Sequence, residues 1–213
     1  FTDVGDESKE ESVSGEKVLV AIGVAPRCDG LFADSLNIEL EHGFILTDAK
    51  NETEPTYQTS VAGIYAIGDI IGPPLLAHVA SEEAVTCIER MNSHHTLGVD
   101  YNSIPSCTYT NPQIASIGKT EQQLREEGVE YIKGVYSLKS HGKAIAVGAT
   151  EGMVKLLASK PYGEILGAHI IGQDASELIA EIGLAIRLEA TVEDIVSTMH
   201  AHPTMAEAIH ESA

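Results

Sequence analysis

The chain has 213 residues, 13 basic and 32 acidic, with a net charge of −19; 43% of its residues are hydrophobic and 21% charged. That length suffices for one large domain or two small ones with a buried core, and the composition is that of an ordinary globular protein. The charge excludes a nucleic-acid partner or an anionic membrane surface, because the long-range field repels phosphate.

Phe1-Thr2-Asp3-Val4 reads as the inside of a strand, and the chain opens with neither a signal peptide nor an initiator methionine. The expectation is a piece of a longer polypeptide. Residues 3–15 are polar and acidic, as in a hairpin tip or a loop between strands. Lys17-Val18-Leu19-Val20-Ala21-Ile22-Gly23 is a near-continuous apolar run ended by glycine, the pattern of a strand buried on both faces. No apolar run reaches the roughly 18 residues of a membrane span; residues 18–25 are among the longest. Ala62-Gly63-Ile64-Tyr65-Ala66-Ile67-Gly68-Asp69 reads as a second such strand, followed by a loop at Ile71-Gly72-Pro73-Pro74. Residues 76–91 carry apolar side chains at 76, 79, 80, 84, 87, 88 and 91, a helical spacing. The turn-rich stretch 92–102 marks a domain boundary.

Beyond it the pattern changes. Cys107-Thr108-Tyr109-Thr110 and Ile114-Ala115-Ser116-Ile117 are short strand-like pieces split by Asn111-Pro112. Thr120 caps a helix with Gln123 in capping-box position, and Gly128 ends it. Residues 131–138 read as a strand, and residues 153–158 and 165–171 form a hairpin around Lys160-Pro161-Tyr162-Gly163. Asp174 caps a helix whose Leu178, Ile179, Ile182, Ala185 and Ile186 form one stripe. Thr191 opens another helix and Thr204 a last one. Antiparallel strands followed by helices describe an α+β layer, distinct from an α/β N-terminal part.

Cys28, Cys87 and Cys107 are far apart, odd in number, and form no C-x-x-C or ligand cluster. They read as small buried hydrophobes in a reducing compartment; neither a zinc site nor a redox dithiol is encoded. Asp69, at the end of its strand, is either a turn residue or a carboxylate held at the carboxyl edge of an α/β sheet, where ligand hydroxyls bind. The free amides of the helix that follows could face a ring or phosphate oxygen. In His200-Ala201-His202-Pro203-Thr204-Met205-Ala206-Glu207-Ala208, His202 and Glu207 can make a base and its orienting carboxylate. The same residues also read as a capping box from Thr204 to Glu207, leaving His202 merely ahead of a helix.

Taken together, these motifs resemble the C-terminal part of the dihydrolipoamide dehydrogenases, within the class I pyridine nucleotide-disulfide oxidoreductases. The resemblance runs from about Val18 onward. Ile64-Tyr65-Ala66-Ile67-Gly68-Asp69 is similar to the family's second FAD motif, and Leu75-Leu76-Ala77-His78 to the segment beneath the flavin. Residues 18–23 are similar to the last strand of the NAD domain, and Tyr109-Thr110-Asn111-Pro112-Gln113-Ile114-Ala115 to the entrance of the interface domain. His202 and Glu207 match the catalytic dyad. The resemblance therefore implies an FAD site at Asp69, Leu75, Leu76, Ala77 and His78, an NAD contact at Gly23, and catalytic roles for His202 and Glu207.

It also implies three parts: residues 1–24 ending the NAD-binding domain, 25–102 closing the FAD-binding domain, and 103–213 forming an interface domain. The implied parent oxidises dihydrolipoamide with FAD and NAD, as a homodimer serving lipoyl domains of 2-oxoacid dehydrogenase or glycine cleavage complexes. It would work in the cytoplasm, or the mitochondrial matrix if eukaryotic. A glutathione or mercuric reductase type, or a dimerisation module without catalysis, are the alternatives. The family's G-x-G-x-x-G loops and redox disulfide have no match in this sequence, so the chain alone is expected to be inactive. Gly23-Val24-Ala25-Pro26-Arg27 lacks the arginine usually found directly after that glycine, and residues 139–144 have no assignable counterpart.

Overall fold

The computed structural model describes residues 2, 3, 6–10, 12–50 and 54–213. The chain divides into two compact units, 1–98 and 99–213. Among the described residues no helix is long and apolar enough to cross a membrane.

In the first unit, β1 (Thr2–Asp3) pairs antiparallel with β2 (Asp6–Glu10), joining Thr2 to Glu10 and Asp3 to Asp6. An antiparallel strand pair thus occupies part of the acidic stretch read as a hairpin tip or a loop between strands; Phe1 and Val4, the ends of the other expected strand piece, lie outside the described residues. The run at 17–23 corrects a second expectation. It forms no strand, and Val18, Leu19 and Ile22 stay 86%, 89% and 94% exposed. A strand buried on both faces needs neighbours on both edges, and no described strand pairs with this one. Downstream, β3 (Leu40–Glu41) and β4 (Phe44–Ile45) make a hairpin whose two-residue turn, His42-Gly43, has φ of 51° and 87°. Positive φ at both turn positions matches the twist of the flanking strands.

Residues 62–69 form no regular strand either. They contribute an isolated bridge between Gln58 and Tyr65, then a 3₁₀ turn over Gly68–Ile71. The glycine–aspartate pair that looked like a strand end is itself the turn. Helix α1 (Ala77–Met91) follows and buries Val79, Glu83, Thr86 and Cys87. Ile88 and Met91, expected on its inner face, are 56% and 44% exposed. The unit's core gathers Ile45, Tyr57, Ala66, Ile71 and Cys87.

In the second unit, β5 (Ser106–Thr108), β6 (Gln113–Gly118), β7 (Tyr131–Ser137), β8 (Met153–Ser159) and β9 (Ile165–Gly172) form one antiparallel sheet. Its order is β5-β6-β9-β8-β7. Helix α2 (Glu121–Glu126) starts in the expected capping box, with Thr120 and Gln123 exchanging both bonds. Helix α3 (Gly142–Val147) fills the stretch that had no counterpart. Helix α4 (Ala175–Arg187) lays Ile179, Ile182 and Ala185 into the core, with Leu178 and Ile186 packed alongside. That stripe meets Ala115, Ile117 and Ile170 from the sheet, and truncating a fully buried isoleucine such as Ile182 costs about 2–5 kcal/mol.

The start of α4 differs from expectation. Asp174 sits at the cap position with φ 61° but makes no side-chain cap bond. Gln113 Oε1 instead accepts from the Ser176 amide at 3.1 Å and its hydroxyl at 3.0 Å. Helix α5 (Val192–Ser197) opens with a Thr191–Asp194 capping box, and α6 (Glu207–His210) is a single turn.

Candidate functional site

The stretch between α5 and α6 carries His202, and no regular element holds it. Its imidazole is 78% exposed, while the Glu207 side chain is 23% exposed. His202 Nδ1 lies 2.8 Å from Glu207 Oε1. A carboxylate can only accept, so Nδ1 carries the proton and Nε2 is left as the basic nitrogen, facing outward. The other carboxylate oxygen, Oε2, accepts the Thr204 amide at 2.8 Å.

Half of the expected capping box is therefore present. Glu207 reaches back to the Thr204 amide, but the Thr204 hydroxyl donates to the Ala201 carbonyl at 2.7 Å instead of capping the helix. Helix α6 starts at Glu207 itself, with Ala206 ahead of it. The Thr204 amide, and next His202, hold the Glu207 carboxyl below its usual range, so the carboxylate stays charged beside the imidazole.

Four contacts near the dyad escaped sequence reading. His141 Nε2 lies 2.8 Å from the Thr204 carbonyl. His200 Nε2 lies 2.8 Å from Glu181 Oε1 on α4, and its Nδ1 lies 3.0 Å from the Thr198 carbonyl. The His200 and His210 rings are 5.4 Å apart. The sequence separations are 63 residues for His141 and 19 for Glu181, beyond any local spacing rule.

In the first unit, Asp69 and Leu75 share a crevice of about 310 Å³ with residues 24–27, Phe44 and Ile70. Asp69 is exposed there on the 3₁₀ turn. Glu83, buried on α1, accepts the Gly68 amide at 2.6 Å and so ties this turn to the helix. Gly68 has φ +72°, and a Cβ there would lie 3.1 Å from the Ala80 Cβ, so only glycine lets the turn and helix approach this closely. Leu76 is the N-cap of α1 and makes no side-chain cap bond. Leu76, Ala77 and His78 do not line the crevice, and Gly23 stands in the exposed segment with nothing within 4 Å of its Cβ direction.

All three thiols are free, Cys87 buried as expected and Cys28 and Cys107 only half-buried. Cys87 is pushed up by burial and then by the charge of Asp48, and Cys107 by burial and then Glu177. Cys28 donates to the Gly43 carbonyl at 3.2 Å. Among the described residues no group of three or more His, Cys, Asp or Glu converges as metal ligands would.

The second unit is thus a five-stranded antiparallel sheet backed by helices, with His202 on the loop before its last helix and Glu207 at that helix's start; it follows in sequence a unit whose Gly-Asp turn opens on a crevice. Residues 104–213 match the model of the pyridine nucleotide-disulphide oxidoreductase dimerisation domain, and residues 2–84 that of pyridine nucleotide-disulphide oxidoreductase. The chain belongs to the pyridine nucleotide-disulphide oxidoreductase family.

Its relatives include dihydrolipoyl dehydrogenase 2, mitochondrial, of Arabidopsis thaliana, 43% identical over 96% of this chain and 39% of that protein. The dihydrolipoyl dehydrogenase of Rhizobium etli is 39% identical over 97% of this chain and 42% of that protein. The chain thus spans about two fifths of the length of these relatives. In fold it is similar to the crystal structure of LpdA from Mycobacterium tuberculosis, with a TM-score of 0.82 at 24% identity, over 90% of this chain and 40% of that one.

Proposed function

We propose that the chain is the C-terminal part of a dihydrolipoyl dehydrogenase, which oxidises dihydrolipoamide to lipoamide with NAD as the acceptor. The observation that carries this reading is the 2.8 Å contact between His202 Nδ1 and Glu207 Oε1, with the opposite imidazole nitrogen exposed. His202 Nε2 takes a proton from a substrate thiol, and Glu207 fixes the tautomer and stabilises the imidazolium that forms. An exposed base must be covered to work on a thiol. The exposed apolar side chains of Leu184 on α4, Leu188 at its C-cap, Val196 on α5 and Met199 on the dyad loop support a second copy as that cover. A homodimer in which each dyad faces the partner's redox disulfide follows from this reading.

FAD, when bound, carries the electron pair between the substrate dithiol and NAD. The residues present fit part of it: Asp69 offers an exposed carboxylate to a ribityl or ribose hydroxyl, and Leu75 lines the same crevice. The start of α1 at Leu76, Ala77 and His78 is the assigned contact for the flavin ring, at the positive end of the helix dipole. Gly23 is the assigned NAD-side contact, in a segment continuous with the crevice-lining residues 24–27. On this reading residues 1–24 end the NAD domain, 25–102 close the FAD domain and 103–213 make the interface domain. The partners are lipoyl domains of 2-oxoacid dehydrogenase or glycine cleavage complexes, in the cytoplasm or the mitochondrial matrix. Lipoamide turnover by the parent enzyme with His202→Gln is the test: unimpaired turnover rejects the reading.

A further inference from the structure

The loop that bears His202 is fixed from outside at few points, and one of them comes from the stretch the sequence left unassigned. His141 is the N-cap residue of α3 and is only 4% exposed. Its own backbone is held at both ends: the amide donates to the Leu138 carbonyl at 3.1 Å, and the carbonyl accepts from the Ile145 amide at 3.0 Å. Its ring stands edge-on to Tyr136, with centroids 5.7 Å apart and planes at 88°. A ring so placed has little freedom, and its Nε2 points at the Thr204 carbonyl 2.8 Å away. That oxygen can only accept, so Nε2 must carry a proton.

Thr204 is the junction. Its amide binds Glu207 Oε2, its hydroxyl binds the Ala201 carbonyl, and its carbonyl takes the His141 proton. Every polar group of the residue is thereby committed, and the two peptide planes flanking its Cα are fixed together. Glu207 has its second oxygen left over for His202.

We propose that His141 is a positioning residue for the His202–Glu207 pair: by holding the Thr204 carbonyl it fixes the Thr204 amide, which pins one oxygen of Glu207 and aims the other at His202 Nδ1. This rests on the reading of the pair as the functional dyad. The Thr204 amide first and then the His202 bond hold the Glu207 carboxyl low, and the charge of His141 adds the smallest contribution. A histidine that merely filled space beside Tyr136 would need no particular tautomer and no link to Glu207.

The experiment uses the 213-residue chain itself, labelled for NMR. At about pH 8, above the ordinary histidine range, the wild-type His141 ring is expected as the Nε2–H tautomer; an Nδ1–H tautomer overturns the proposal. The Glu207 carboxyl is then titrated by ¹³C detection in wild type, His141→Gln and His141→Leu. Glutamine keeps a donor at nearly the reach of Nε2 but carries no charge. The expected result is a Glu207 midpoint raised only slightly in His141→Gln, which loses the charge but keeps the donor, and raised by about half a pH unit or more beyond that in His141→Leu, since hydrogen bonds to a carboxylate are worth about one unit or more. Equal shifts in both variants mean that His141 acts by charge alone, and no shift in His141→Leu means that it does not act on Glu207; either result overturns the proposal. Should His141→Leu fail to fold, the wild-type tautomer and His141→Gln decide. None of these readouts uses lipoamide turnover, so an active His202→Gln parent would reject the dyad while leaving the tie between His141 and Glu207 standing or falling by itself.

Discussion

His202 Nδ1 donates to Glu207 Oε1 across 2.8 Å while the same carboxylate accepts the Thr204 amide through Oε2, also at 2.8 Å. The two oxygens do different work. Oε2 fixes the carboxylate to the backbone that leads into α6, and Oε1 fixes the imidazole to the carboxylate. The backbone contact and the histidine contact of Glu207, which the sequence offered as rival readings, coexist on its two oxygens.

The dyad gives the sharpest test. In the full-length parent, Glu207→Gln keeps an oxygen for the Thr204 amide but then turns an NH₂ toward His202 Nδ1–H, donor against donor. Lipoamide turnover should fall by about one to several powers of ten, the range that general-base catalysis supplies. His202→Gln should do at least as much harm. NADH oxidation by an artificial acceptor should survive in both, because that route needs no thiol base. Equal loss of both activities would assign the pair to holding the dimer or the flavin.

Gly134 on β7 is where the sheet meets the C-terminus. A methyl group there would run into the Ser212 carbonyl, and Ser212 is only 2% exposed. Gly134→Ala should displace residues 212–213 and the short helix that bears Glu207, costing about 1–3 kcal/mol, as overpacking does. Urea unfolding of the chain measures it; an unchanged midpoint would mean that the terminus is not anchored on β7.

Glu121 is the hub of the outer sheet face, within 3.2 Å of Arg125, Lys133 and Lys155 and 3.1 Å of the Tyr131 hydroxyl. Its bond to Lys155 first, then Lys133, brings its carboxyl down from 4.5 to about 2. A depressed carboxyl contributes stability that is fully present above the unfolded value and is lost as pH falls through the folded one. Glu121→Gln should therefore lower the urea midpoint near pH 7, with the gap to wild type closing between 4.5 and about 2. A gap independent of pH would show that packing, not charge, is what the glutamate supplies.

Association should follow from the exposed apolar face of the second unit. Leu184 on α4 and Leu188 at its C-cap are 62% and 69% exposed, and Met199, three residues from His202, is 96% exposed. Residues 99–213 alone are expected to sediment as a dimer at tens of micromolar, because their sheet pairs its own strands. Leu184→Asp should shift the population to monomer. A wild-type unit that is strictly monomeric at that concentration would sink the prediction.

Flavin retention should be weak. The crevice at Asp69 and Leu75, about 310 Å³, stands at the bottom of the roughly 300–1,000 Å³ range of small-ligand sites, less than a dinucleotide fills. The purified chain should release FAD on gel filtration and run colourless. Stoichiometric yellow protein would mean that these residues hold far more of the cofactor than the crevice accounts for.

The sequence by itself determined whatever is written in local spacing. The capping box at Thr120, the helix start at Thr191, the α4 stripe and the hairpin from Met153 to Gly172 came out as their patterns dictate, because each depends on neighbours within a turn or across a short loop. The five-residue step from His202 to Glu207 was legible for the same reason. The apolar runs at 17–23 and 62–69 were misread as strands, because apolar content expresses a tendency to be buried and cannot supply the partner edges a strand needs. The His42-Gly43 hairpin was missed because histidine is a weaker turn signal than asparagine or aspartate. Only the tertiary structure decided that Gln113 and not Asp174 bonds the start of α4, that Glu83 ties the Gly68 turn to α1, and that His141 reaches Thr204. These contacts join residues from 15 to 63 positions apart. Such pairings are set by how sheet and helices pack, and no periodicity along the chain encodes them.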